Sequence, residues 1–101
     1  MALVVVEITV KDPEMYKEYM ALAPATIATH KGKYLVRGGT YEALEGDWSP
    51  QRFVVLEFPS AQAAKDWWNS PEYTAARKIR QRCADARMLL VDGPSFDPAK
   101  V

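Results

Sequence analysis

The stretch LVVVEITV, residues 3–10, is rich in β-branched side chains, which favour a strand. Successive side chains of a strand point to opposite sides, so this stretch has two faces. The faces consist of Val4, Val6, Ile8 and Val10 on one side and of Leu3, Val5, Glu7 and Thr9 on the other. Because both faces are largely apolar, we expect the strand to lie in a sheet that is covered on both sides.

The segment after this strand has the chemistry of a helix start and a helix stop. Asp12 suits the capping position and Pro13 the first helical position, while Gly32 supplies the stop. Pro24 lies inside the segment and is expected to kink or split the helix. An apolar stripe recurs along it at spacings of three and four residues: Tyr16, Tyr19, Met20, Ala23, Ile27 and His30.

A hairpin is expected in the middle of the chain. The stretch KYLVRGGTYEALEGDW, residues 33–48, predicts a long strand in which Gly38 and Gly39 mark a bulge or a bend. The segment EGDWSP, residues 45–50, predicts a turn, and QRFVVLEF, residues 51–58, predicts the returning strand. These two strands are therefore expected to pair with each other.

A helix with an interruption and a last strand complete the pattern. Ser60 is suited to cap a helix that runs to Trp68. Ser70, which is followed by a proline and a glutamate, is suited to restart a helix that ends near Cys83. The stretch ARMLLVDG, residues 86–93, predicts the final strand.

The resulting order is β-α-β-β-α-β, which is the arrangement of ferredoxin-like α+β folds. In that fold a four-stranded antiparallel sheet carries both helices on one face. We therefore predict a single ferredoxin-like domain, residues 1–93, which is followed by a C-terminal tail, residues 94–101.

The other face of this sheet would be left uncovered by the helices. It would consist of the apolar Leu3, Val5, Phe53 and Val55 and of the acidic Glu7 and Glu57. A large exposed apolar face usually marks a contact with a partner. We therefore expect a homodimer in which the sheet faces of two identical chains pack together.

The charge balance and the N-terminus exclude several classes of partner. Thirteen basic and thirteen acidic residues give a formal net charge of zero, so no overall field attracts nucleic acid or an anionic membrane. The apolar N-terminus is short, lacks a basic start and is interrupted by Glu7, unlike a signal peptide or a membrane span. The single cysteine, Cys83, cannot form an internal disulfide. We expect a cytoplasmic protein.

The sequence lacks the short motifs of cofactor chemistry. It contains no phosphate loop, dinucleotide-binding fingerprint or nucleophile elbow. One histidine and one cysteine cannot build a zinc site of the common kinds, although carboxylates could hold a hard ion. We therefore predict neither a cofactor nor a metal site.

Polar residues inside apolar elements are candidates for a site. His30 could act as a general acid or base, bind haem as an axial ligand, or be a partly buried residue at a helix end. Arg37 and Glu57 could orient a carboxylate-bearing ligand or form ion pairs at a dimer interface. The basic run RKIRQR, residues 77–82, is expected to be a solvated helix face.

Two adjacent tryptophans precede the expected helix joint. Trp67 follows Ala64 by three residues on the face that should meet the sheet, whereas Trp68 points about 100° away from it. We expect Trp67 to fill the core and Trp68, with Tyr73, to line either a cleft or a subunit contact.

Four segments carry a family resemblance: GKYLVRGG, LEGDWSPQRFVVLEFPS, AAKDWWNSPEYTAARKIR and LLVDG. They resemble the bacterial family called domain of unknown function thirteen-thirty, within the dimeric α/β-barrel superfamily. The resemblance covers residues 2–93 and implies the ferredoxin-like fold and dimerisation. The positions that match the family motif are Arg37, Gly38, Gly39, Glu45, Trp48, Arg52, Trp67, Ser70 and Tyr73.

Relatives in that superfamily include cofactor-independent mono-oxygenases, haem-degrading enzymes, lactone isomerases and non-catalytic ligand-sensing domains. In many of them the cleft lies between helices and sheet, so the resemblance implies such a cleft here. We expect it to bind a small, partly apolar or carboxylate-bearing metabolite. Two alternatives stay open: a cofactor-independent mono-oxygenase or isomerase with His30 as proton acceptor, and a non-catalytic structural or interaction module. The expected ligand-binding residues are Tyr16, Tyr19, Arg37, Glu57, Trp67, Trp68 and Tyr73.

Overall fold

Four strands and three helices follow one another in the predicted order. A computed structural model describes them over residues 1–93, and the predicted C-terminal tail lies outside these described residues. The elements are β1 (Ala2–Val10), α1 (Pro13–Thr29), β2 (Lys33–Arg37), β3 (Arg52–Phe58), α2 (Ala61–Asn69), α3 (Pro71–Cys83) and β4 (Ala84–Asp92).

The strands form one antiparallel sheet in the order β2-β3-β1-β4. The strand that opens the chain, β1, is therefore an inner strand, with β3 and β4 as its hydrogen-bonded neighbours. Its even positions from Ala2 to Ile8 are buried beneath the helices, whereas Leu3, Val5 and Glu7 stay partly exposed on the other side. The predicted ferredoxin-like α+β fold is confirmed.

Side-chain caps set the starts of the helices as expected. The Asp12 carboxylate accepts a hydrogen bond from the backbone N–H of Met15 (3.2 Å) at the start of α1. Ser70 acts at both sides of the helix joint. Its hydroxyl donates to the carbonyl of Trp67 (2.7 Å) and accepts from the N–H of Tyr73 (3.2 Å), which ends α2 and begins α3.

The first helix is longer than Pro24 suggests. α1 continues from Pro13 to Thr29 with Pro24 inside it, so a split helix is the wrong expectation. Just after the helix, the chain approaches the sheet closely at Gly32. A Cβ at this position would lie 2.6 Å from the Phe58 ring, so any residue other than glycine would clash with that ring.

The second strand is shorter than the sequence predicts. β2 ends at Arg37, and residues 38–51 connect it to β3 without a strand. Gly38 has φ +64° and turns the chain out of the extended conformation, while its N–H still donates to the Phe53 carbonyl (3.0 Å). The register shift of β2 lies between Tyr34 and Val36 rather than at Gly38.

The sheet face opposite the helices, which we call the open face, carries an apolar row across all four strands. Val5 pairs with Val55 on one side and with Leu89 on the other, and Val55 pairs with Val36. Trp48 lies beside this row and donates from Nε1 to the Glu7 carboxylate (2.7 Å). Within residues 1–93, no helix is both long and apolar enough to cross a membrane.

Candidate functional site

A cavity lies between the helices and the sheet, and we call it the inner cavity. Its volume is about 30 Å³, which is room for an ordered water molecule. Most of its wall is apolar, and its polar groups belong to two arginines, three tyrosines and the indole of one tryptophan. The lining residues are Val6, Ile8, Tyr16, Tyr19, Met20, Ala23, Ile27, Tyr34, Arg37, Arg52, Val54, Leu56, Trp67 and Met88.

The two arginines of the inner cavity each lie over an aromatic ring. The Cζ atom of Arg37 is 4.7 Å from the centre of the Tyr34 ring, and that of Arg52 is 5.9 Å from the centre of the Tyr16 ring. Arg37 is exposed, whereas Arg52 is half-buried. Neither forms an ion pair with a carboxylate of the described residues. The cavity is therefore electropositive on this side.

Gly38 fixes the position of the Arg52 guanidinium. A Cβ at Gly38 would lie 2.5 Å from Nη1 and 3.1 Å from Cζ of Arg52. The guanidinium therefore packs directly against the backbone at Gly38, where a side chain would displace it. Gly38 serves both the turn after β2 and the placement of Arg52.

A third arginine, Arg80, lies close by. Its burial contradicts the expected solvated face of residues 77–82 at this one position, whereas Lys78 and Arg82 are exposed as expected. It is only 4% exposed, and its Cζ lies 5.9 Å from the centre of the Tyr19 ring. The reason is its position on α3, on the face that packs against α1. The periodicity contains this signal, since the buried residues of α3 recur at spacings of three and four: Tyr73, Ala76, Arg80 and Cys83.

The buried tyrosines form a connected cluster. The rings of Tyr16 and Tyr19 are 5.5 Å apart, and the hydroxyl of Tyr19 shares a hydrogen bond with that of Tyr73 (3.0 Å). Burial raises the pKa of Tyr16, and the positive charges of Arg52 and Arg80 offset this only in part. Burial likewise raises the pKa of Tyr19. Both hydroxyls are therefore protonated at neutral pH and can donate hydrogen bonds.

Trp67 fills the core, as predicted. It is 1% exposed, its ring lies 4.0 Å from that of Tyr73, and its Nε1 donates to the Thr26 hydroxyl (3.1 Å). Tyr73 is fully buried, so the expectation that it lines a cleft or subunit contact with Trp68 is wrong. The reason is that Tyr73 begins the α3 face that packs on α1, where its hydroxyl finds Tyr19.

Trp68 is half-buried and borders a second space, which we call the outer groove. This groove has a volume of about 250 Å³ and lies between α2 and the edge strand β4. Arg77 covers the Trp68 ring at 4.3 Å. The lining residues are Val4, Ala64, Lys65, Trp67, Trp68, Met88, Leu89 and Leu90.

Two of the candidate residues lie away from the inner cavity. His30 caps the end of α1, and its Nδ1 donates to the Thr26 carbonyl (3.1 Å), an oxygen that can only accept. Glu57 lies on the open face, where its carboxylate is 4.0 Å from the Lys33 ammonium. The structure thus brings together Tyr16, Tyr19, Arg37 and Trp67, but places His30 and Glu57 outside this cavity.

Metal-ligating side chains do not cluster in the described part of the chain. Among residues 1–93, no three of the His, Cys, Asp and Glu side chains lie together in a way that could hold an ion. The chemistry available at the inner cavity is therefore that of guanidinium groups, tyrosine hydroxyls and aromatic rings.

The sheet order and the cavity between the two layers define the class of the protein. It is a protein with a ferredoxin-like α+β fold, which it shares with solved structures of the antibiotic biosynthesis monooxygenase type. The chain belongs to the family described as domain of unknown function (DUF1330), whose family model matches residues 1–94.

Solved structures with the same fold differ widely in sequence. RPA0582 from Rhodopseudomonas palustris, a protein of unknown function, is 20% identical with a TM-score of 0.75, over 94% of this chain and 83% of that chain. SnoaB from Streptomyces nogalater, a cofactor-independent oxygenase, is 14% identical with a TM-score of 0.63, over 96% of both chains. HapK from Hahella chejuensis is 12% identical with a TM-score of 0.61, over 96% of both chains. No curated protein sequence is significantly similar to the chain.

Proposed function

We propose that the protein binds a small, flat, partly apolar metabolite in the inner cavity. The observation that carries this proposal is the pair Arg37 and Arg52, whose guanidinium groups lie beside tyrosine rings and have no carboxylate partner within residues 1–93. A mostly apolar space with a few convergent polar groups is typical of small-molecule sites.

The inner cavity must widen to admit a ligand larger than water. Its wall contains two methionines, Met20 and Met88, whose unbranched side chains change shape at little cost. Met88 also borders the outer groove, so its movement would enlarge the cavity towards that space. We therefore expect the inner cavity to have a larger volume in the ligand-bound protein than in the ligand-free protein.

Thermal denaturation in the presence of small aromatic and carboxylate metabolites tests this function. A ligand at a hundred times its dissociation constant is expected to stabilise the fold by about 2.7 kcal/mol. Tyr34→Ala at the cavity should abolish the shift in melting temperature, and Tyr41→Ala, on the exposed loop 38–51, should retain it. If a broad set of compounds leaves the melting temperature unchanged, a structural or interaction module becomes the better interpretation.

Catalysis is a second candidate, since SnoaB, which shares the fold, is a cofactor-independent oxygenase. In that case the protein would oxidise or isomerise its ligand, with His30 as the proposed proton acceptor, which requires the bound ligand to extend from the cavity to the end of α1. Because His30 lies outside the inner cavity and bonds the Thr26 carbonyl, we expect His30→Ala to leave ligand affinity unchanged. Product formation in air and binding are to be measured on both proteins. Turnover that disappears in His30→Ala would establish the catalytic role of this residue.

We also propose that the protein is a homodimer that assembles through the open face. The row Val36, Val55, Val5 and Leu89 spans all four strands and is uncovered in the single chain. Packing this face against a second copy would remove it from water, and a stable interface of this kind buries about 1,200 Å² or more in total.

A further inference from the structure

We propose that the ligand of the inner cavity is a carboxylic acid whose carboxylate is bound by Arg52, with support from Arg80, rather than by the exposed Arg37. This inference rests on the function proposed above and specifies its ligand class. Its basis is that Arg52 and Arg80 each keep a buried Nε without a hydrogen-bond partner among the described residues.

Arg80 is the more deeply buried of the two, and it lies beside the ring of Tyr19, which lines the inner cavity, without lining that cavity itself. It is 96% removed from solvent and forms no ion pair with a carboxylate of residues 1–93. Asp12, which lies near the end of α3 through its N–H bond to the Cys83 carbonyl (3.0 Å), already caps α1 with its side chain. A buried cation without a counter-charge is costly, and an anion from outside the chain would remove that cost.

Arg52 presents the second donor at the cavity wall itself. Its guanidinium packs against the backbone at Gly38, which limits the positions that it can take. A guanidinium offers Nε–H and an Nη–H side by side, and a carboxylate accepts both with its two oxygens. The unpartnered Nε of Arg52 is one half of such a pair of donors.

Tyr16 connects the two arginines. Its ring lies 5.9 Å from the Cζ of Arg52 and 5.5 Å from the ring of Tyr19, which in turn lies 5.9 Å from the Cζ of Arg80. The protonated hydroxyl of Tyr16 adds a neutral donor to the two cations. A carboxylate that carries an apolar group suits this set, because the rest of the cavity wall is mostly apolar.

Nuclear magnetic resonance of the arginine Nε–H groups tests the inference directly. Benzoate, its neutral isostere benzamide and inorganic phosphate are titrated into the uniformly ¹⁵N-labelled full-length protein. We expect benzoate to move the Nε–H resonances of Arg52 and Arg80 more than benzamide does, because a carboxylate offers two charged acceptor oxygens and an amide offers one neutral oxygen. We also expect a larger effect than that of phosphate, which has no ring to contact the mostly apolar cavity wall. The wild-type protein suffices for this measurement, so the test does not depend on a buried variant that fails to fold.

Variants quantify the same contacts. Arg52→Gln is expected to weaken benzoate binding about tenfold or more, since it removes a hydrogen bond between two charged groups. Arg80→Lys retains the positive charge but loses Nε, and should weaken binding less. Arg77→Gln is the matched control, because Arg77 lies on the same helix but covers Trp68 outside the inner cavity. Its benzoate affinity should equal that of the wild type.

Three results would overturn this ligand class. Benzamide that binds as tightly as benzoate, with both Nε–H resonances unmoved, would leave a ligand site that does not recognise an acid. Phosphate that moves these resonances as strongly as benzoate would show a general anion site. Neutral compounds that stabilise the protein in the thermal experiment, while benzoate does not bind, would likewise show a ligand site that does not recognise an acid. Failure of every compound in that experiment would instead overturn the proposed function itself.

Discussion

Replacing Trp67 with alanine is expected to lower the free energy of unfolding by about 3–5 kcal/mol, the usual cost of removing a buried aromatic side chain. Trp67 is 1% exposed and contacts Phe58, Trp68 and Tyr73 with its ring. The substitution leaves a cavity between sheet and helices and also leaves the Thr26 hydroxyl without its indole partner. Urea denaturation followed by far-ultraviolet circular dichroism measures this loss.

Trp68→Ala is the matched control for this measurement. Trp68 is the next residue of the same helix and is half-buried, so water can fill the space that it leaves. We expect a clearly smaller loss of stability than in Trp67→Ala. Equal losses in the two variants would contradict the assignment of Trp67 to the core and of Trp68 to the groove.

Leu89→Asp is expected to convert the proposed dimer into a folded monomer. Leu89 is 68% exposed in the single chain. It lies on the open face of the edge strand β4 and pairs with Val5 on the inner strand β1. In a symmetric interface the substitution buries two carboxylates without partners. At about 3–5 kcal/mol for an uncompensated buried charge, the dissociation constant of the dimer should rise a hundredfold or more. Analytical ultracentrifugation at micromolar concentration measures this change.

Leu22→Asp is the control for dimerisation. Leu22 is an exposed leucine, at 46%, but it lies on α1 in the helical layer. This variant should sediment like the wild type. A wild-type protein that is monomeric at micromolar concentration would contradict the proposed interface, as would a Leu22→Asp variant that dissociates while Leu89→Asp does not.

Local chemistry made most of the fold predictable from the sequence. The starts of the helices follow from Asp12, Ser60 and Ser70, whose side chains act within three residues along the chain. The long strand predicted over residues 33–48 was wrong beyond Arg37. The glycine that ends it adopts positive φ, and a Gly-Gly pair alone does not tell a bulge from a strand end.

The site was less predictable, because it depends on contacts between distant segments. Arg80 looked like part of a solvated basic run, and only the packing of α3 on α1 removes it from water. Arg52 was predicted as part of the returning strand, residues 51–58, and its role depends on the approach of the Gly38 backbone. His30 shares the stripe of Tyr16 and Tyr19 in the sequence, yet it lies near the far end of a 17-residue helix.

The junction of α3 and β4 at Cys83 gives the protein a built-in reporter of its own opening. The Cys83 carbonyl accepts from the N–H groups of Lys11 (2.8 Å) and Asp12 (3.0 Å). These hydrogen bonds join the end of α3 to the loop between β1 and α1. The thiol is fully buried, and burial raises its pKa. An alkylating reagent can therefore modify it only in molecules that have opened at this junction, and the rate of labelling records how often that happens.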